Sequence, residues 1–269
     1  MLSDRFGVDL FVAILIIAVA TVALSIFQWL IWSSSQIENN MFYFWLPVGI
    51  ELAVAYALAR GYLAHGQGHI ITFGIAALYS GLLGVVGIWI DYAATSIGPL
   101  VAVTSMSDLL FSALNFFAAF QFRSPGSSSS SSRRPRLAIA YVASAVACVL
   151  VCYLALKGLG SIFYGPPGVG LHNLPNEAVS LLAIVLLFAS SILLLTKGSS
   201  YAGASFVSWY AAGLVLTALL YLLTLLNLPY STASNFLQGL MSVAAGACAL
   251  IFAFVYLRKT SLNTASDRL

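Results

Sequence analysis

The 269 residues carry 61% hydrophobic and 7% charged side chains with a formal net charge of +3, and their mean hydropathy is +0.99. A soluble domain wets its surface with about a quarter charged residues, so this composition excludes a soluble enzyme and leaves no room for a separate catalytic domain. Nucleic-acid binding has no support either, because the basic residues sit at the ends of hydrophobic runs, where they set membrane topology.

Crossing a hydrocarbon core of ~30 Å takes about 20 apolar helical residues. Eight runs meet that requirement, at 8–32, 42–62, 70–90, 100–122, 137–157, 177–197, 204–226 and 235–257. The expected fold is all-α: a polytopic membrane helix bundle of eight transmembrane helices in one integral membrane domain. Its first four helices lie within 1–123, a Ser/Arg-rich linker follows at 124–136, helices five to eight lie within 137–258, and a short tail covers 259–269.

The first run follows Arg5 and continues to Trp32 without a small-residue cleavage site, so it reads as a retained helix and not a signal peptide. The second holds Glu51 about ten residues in, which at ~1.5 Å per residue puts the acid near the membrane midplane. An ionised carboxylate against lipid costs several kcal/mol, so Glu51 is expected to face the bundle interior, either protonated or paired. Between the second and third runs, His65 and His69 flank Gly-Gln-Gly, a spacing whose glycines discourage a helical metal pair. The third run repeats glycine at 81, 84 and 87, a pattern that lets helices approach closely in lipid.

Asp108 in the fourth run reaches a depth similar to that of Glu51. The simpler reading of both acids is a neutral carboxyl tying helices together, with Ser105, Ser107, Asn115 or a backbone carbonyl as partner. The linker holds six consecutive serines, 127–132, and three arginines, which reads as a flexible connector. In the fifth run Cys148 and Cys152 share a face at i, i+4; that spacing allows a soft-metal pair, although small apolar packing is the commoner use. The Gly- and Pro-rich stretch 158–176 is the longest connection on its side and suits a lid. It leads into Pro175 and Glu177, a fitting start for a helix with an acid in its first turn. Asn235 and Gln238 open the last run.

Lys and Arg concentrate on one side: Arg5, Arg60, Arg123, Arg133, Arg134, Arg136, Lys197, Arg258, Lys259 and Arg268 alternate with loops that carry only Lys157. Positive loops stay in the cytoplasm, so both termini and the linker are expected there, in a cell-membrane protein with an even number of spans. A 4+4 parallel repeat is also readable, with Leu46-Pro47 before Glu51 matched by Leu174-Pro175 before Glu177, and Tyr79 matched by Tyr210.

Phosphate-binding loops, nucleophile elbows, paired haem histidines and carboxylate–histidine clusters are missing from the sequence. It therefore implies no enzyme and no cofactor or metal. Glu51, Asp108, Glu177, Asn235 and Gln238 lie on four helices and are the candidate lining of a pocket in the outer half.

Three stretches resemble the membrane-associated sensor (MASE-type) input domains of bacterial and archaeal signalling proteins: Trp45-Leu46-Pro47-Val48-Gly49-Ile50-Glu51, Gly170-Leu171-His172-Asn173-Leu174-Pro175-Asn176-Glu177, and Asn235 with Gln238 before Arg258-Lys259. Asp108 stands where such domains carry an arginine, and no kinase or cyclase follows Arg258. The resemblance implies a sensor whose pocket takes a small or lipophilic ligand and whose output is a signalling partner or a homo-oligomer in the bilayer. Two other functions compete with it: a proton-coupled carrier using Glu51 and Asp108, and an accessory subunit of a membrane complex.

Overall fold

The computed structural model describes residues 36–93, 98–122, 130–159, 174–198, 204–226 and 232–266. Among these residues the chain is all helical: α1 Gln36–His65, α2 Gly68–Ala93, α3 Gly98–Gln121, α4 Ser130–Leu154 running into a π-turn Ala155–Leu159, α5 Leu174–Gly198, α6 Ala204–Leu225 and α7 Thr232–Ser266. Each contains a stretch long and apolar enough to cross a membrane, the seven being Leu46–His65, Gly68–Gly87, Val101–Gln121, Ser132–Lys157, Pro175–Lys197, Val207–Leu225 and Gly239–Tyr256. The chain is a multi-pass membrane protein. The expected first helix, 8–32, lies outside the described residues.

Six helices close a ring in chain order, α1 against α2, α2 against α3, α3 against α5, α5 against α6, α6 against α7, and α7 back against α1. The fourth stands outside, mainly against α2. Its outward side chains Ile139, Val142, Val146, Val149 and Tyr153 are all exposed, as the lipid-facing stripe of a membrane helix should be. Two polar anchors hold it to the ring. Tyr141 donates to the Ala55 carbonyl at 2.7 Å, passing over Gly74, where a Cβ would lie 3.0 Å from the Tyr141 hydroxyl. Arg133 donates to the carbonyls of Leu63 at 3.2 Å and Ala64 at 2.7 Å.

That second anchor shortens the expected linker, because α4 begins at Ser130 and not at 137. The stretch from Ser130 to Arg136 is helical, and its arginine caps the open C-terminal carbonyls of α1, a favourable place for a cation. Lys197 does the same for α3, donating to the carbonyls of Ala119 at 3.3 Å and Phe120 at 2.5 Å. The side carrying Arg60, Arg133 and Lys197 is termed here the basic face, and its opposite the far face. On the basic side the α1–α2 turn closes through Gly66, whose φ of 71° lets its N–H donate to the Tyr62 carbonyl at 2.7 Å, a left-handed helix cap that suits glycine.

The core is lopsided. Its main cluster takes Val54 to Tyr62 from α1, Ile70 to Ala77 from α2, Ala118 to Phe122 from α3, Ile184 to Leu194 from α5, Val207 to Ala218 from α6 and Phe252 to Tyr256 from α7. These segments lie toward the basic end of each helix. Phe73 of α2 meets Tyr210 of α6 edge-on at 4.7 Å, and Phe252 of α7 lies 4.8 Å from Tyr210. Because α2 and α6 are not neighbours in the ring, this aromatic contact crosses its centre and fills it.

Candidate functional site

Toward the far face the ring interior is lined differently. Ser80 of α2 donates to Glu51 Oε1 of α1 at 2.9 Å, and the Tyr221 hydroxyl of α6 donates to the Asp108 carboxylate of α3. Helices α3 and α6 are not neighbours in the ring, so the Tyr221–Asp108 bond spans the interior and fixes which way both groups point. Glu51 lies within electrostatic reach of Asp108 and of Tyr221. It therefore shares the same space. Both carboxyl residues are half-buried.

Glu51 and Asp108 both lie in the half of their apolar stretches nearer the far face.

Glycine notches on two neighbours hold the Glu51 segment in place. A Cβ at Gly84 would lie 2.5 Å from Val48 Cγ2, one at Gly81 would lie 2.9 Å from Leu52 Cδ2, and one at Gly246 would lie 2.8 Å from Ile50 Cγ2. Close approach of α2 and α7 to α1 is therefore built on the absence of side chains at three positions. The glycine repeat in α2 does serve packing at 81 and 84.

Beneath the carboxyls, Asn115 of α3 is completely buried and hydrogen-bonded through both its nitrogen and its oxygen. Its amide donates to the Phe111 carbonyl at 2.9 Å and its oxygen accepts from the Tyr210 hydroxyl at 2.6 Å. Asn115 is not a partner of Asp108, contrary to one sequence-based option. Tyr221 takes that role.

Glu177 occupies the first turn of α5 at the far end, half-buried, beside Asn176, whose side-chain oxygen accepts a hydrogen bond from Ser105. Asn235 and Gln238 fall in the first turns of α7, and their side chains lie outside the described residues. Of the five sequence candidates, then, Glu51 and Asp108 are brought together, while Ser80 and Tyr221 join them unannounced. Tyr79 and Tyr210, matched in the repeat reading, sit in different places: Tyr79 packs with Cys148 and Val151 of α4, whereas Tyr210 plugs the ring. His65 and His69 also part company, one edge-on to Tyr256 and the other tilted on Phe122. Among the described residues no group of three or more His, Cys, Asp or Glu gathers as a metal site would require.

Comparison with known protein families, with curated proteins and with solved structures returned no match.

Proposed function

We propose that this protein is a membrane receptor or sensor whose ligand enters the ring from the far face and is held by Glu51 and Asp108. The observation that carries this reading is the contrast between the two halves of the ring. Two interior carboxyls with hydroxyl partners line the half toward the far face, and an aromatic cluster packs the half toward the basic face. A dead-end site can bind but cannot conduct. Carboxyls and hydroxyls with no Lys or Arg in the same half of the ring, among the described residues, suit a small ligand that offers a cationic or hydrogen-bond-donating group on an apolar body. The MASE-type resemblance agrees with such a role. In this proposal α7, helical to Ser266, passes the bound state to a partner beyond the basic face.

Small molecules and lipids retained by the purified protein, identified by mass spectrometry, provide the test. Wild type is expected to carry a ligand that Glu51→Gln and Asp108→Asn both lose while keeping their thermal stability, and any pH dependence of binding should disappear in Glu51→Gln. Retention of the same molecule by both variants would reject the site.

The proposal also sets the orientation, with the basic face cytoplasmic. A cysteine placed at Ser129 in a background lacking the native cysteines is expected to resist an impermeant thiol reagent applied to intact cells and to react once they are opened. Labelling from outside would invert the assignment.

One observation favours a carrier as the second reading. Helices α1–α3 and α5–α7 follow each other round the ring as two like-directed triplets with α4 between them, an order that fits a parallel repeat better than 4+4 and is familiar among secondary transporters. Solute-driven flux in proteoliposomes separates the two readings. A receptor shows none, and a carrier must open the plug.

A further inference from the structure

A second polar cluster lies away from the carboxyls, where α4 meets α2. Tyr79 is only 2% exposed, yet its hydroxyl has no hydrogen-bond partner among the described residues. Tyr79 packs in one cluster with Cys148, and Cys152 packs against that cluster. Four residues apart on a helix, the two thiols leave the same face. Cys148 is buried and spends its S–H on the Tyr79 carbonyl at 3.7 Å, while Cys152 is half-buried and reachable. The walls are apolar, formed by Leu83, Ala102, Val103 and Val151. Directly after the pair, α4 widens into the π-turn Ala155–Leu159, an interruption of the kind that accompanies functional sites.

An O–H sealed in an apolar pocket without an acceptor is unfavourable unless something binds there to accept it. The donor set decides what. Two thiols with no third His, Cys, Asp or Glu grouped beside them among the described residues do not suit Zn(II), which takes four ligands, or the hard cations, which take oxygen. Soft thiolate ligands select Cu(I).

We propose that Cys148 and Cys152 form a two-thiolate site for Cu(I), roofed by Tyr79. Binding exchanges two thiol protons for one Cu(I) without electron transfer and leaves the complex with one excess negative charge. The Tyr79 hydroxyl donates to a thiolate sulfur and offsets part of that charge, while Cys148 releases the Tyr79 carbonyl. The site is independent of the carboxyl pair.

The test is an anaerobic titration of the full-length protein in detergent with Cu(I), in competition with a chromogenic Cu(I) chelator. Wild type is expected to take one tightly held Cu(I), Cys152→Ala to lose it, and Cys248→Ala to keep it. Tyr79→Phe should retain the stoichiometry with affinity weakened about tenfold to a hundredfold, as for other groups that support a metal ligand. Since Cys148 is buried and its replacement risks misfolding, X-ray absorption on copper-loaded wild type gives a readout free of variants, expected to show two sulfur neighbours. Failure of wild type to compete for Cu(I), unchanged binding by Cys152→Ala, or a nitrogen and oxygen shell would each overturn the proposal.

Discussion

Gly84→Val is expected to destabilise the protein by about 3 kcal/mol, at the upper end of what overpacking a well-filled interior costs. The Cβ alone would come within 2.5 Å of Val48 Cγ2. A β-branched side chain on a helix has one strongly preferred rotamer, so Val48 cannot turn aside and α1 must move off α2. That movement carries Glu51 away from Ser80, so ligand retention should fall with stability. Gly49→Ala is the control, because nothing lies within 4 Å of its added Cβ. Thermal unfolding in detergent checks both. Equal loss at 49 and 84 would mean that the notch does not hold the helices together.

Phe73→Ala should cost a similar or greater amount, about 3–5 kcal/mol for a buried aromatic ring, and should also do what no other core change does. Phe73 is 0% exposed and reaches across the ring to Tyr210 and Phe252. Its removal leaves a gap in the barrier between the carboxyl-lined space and the basic face. Proteoliposomes containing folded Phe73→Ala are expected to dissipate a proton gradient that wild type holds. Phe117→Ala, at a residue 53% exposed, should remain tight. If Phe73→Ala protein were folded and equally tight, the seal would have to lie elsewhere and the dead-end reading would lose its main support.

Much of the helical layout was legible because lipid leaves the chain few choices: an apolar run of about 20 residues must satisfy its backbone internally. For the same reason Glu51 and Asp108 could be placed together, since an acid inside such a run is costly unless it turns inward. Their partners were hidden. Reading along a chain gives depth, but Ser80 and Tyr221 depend on the rotation of α2 and α6 about their axes and on which helices face each other across the ring. The early start of α4 was hidden for a related reason: serines 130–132 carry little helical preference of their own, and the turn is fixed from a distance by Arg133 reaching the carbonyls of α1. Asp108 shows the limit of local reasoning most directly. Two of its candidates in sequence, Ser105 and Asn115, are taken by Asn176 and Tyr210, and its own partner comes from more than a hundred residues away.

The closing contact of the ring, between the first and last described helices, bears on how the protein is made. During synthesis α1, α2 and α3 enter the bilayer long before α7 exists, so the flank of α1 that meets Gly246 stays bare until translation is nearly over. Contacts so distant along the chain form late. Nascent chains arrested before residue 232 should therefore display Glu51 on an unguarded helix, a polar mark within the lipid by which quality-control machinery can tell an unfinished molecule from a finished one.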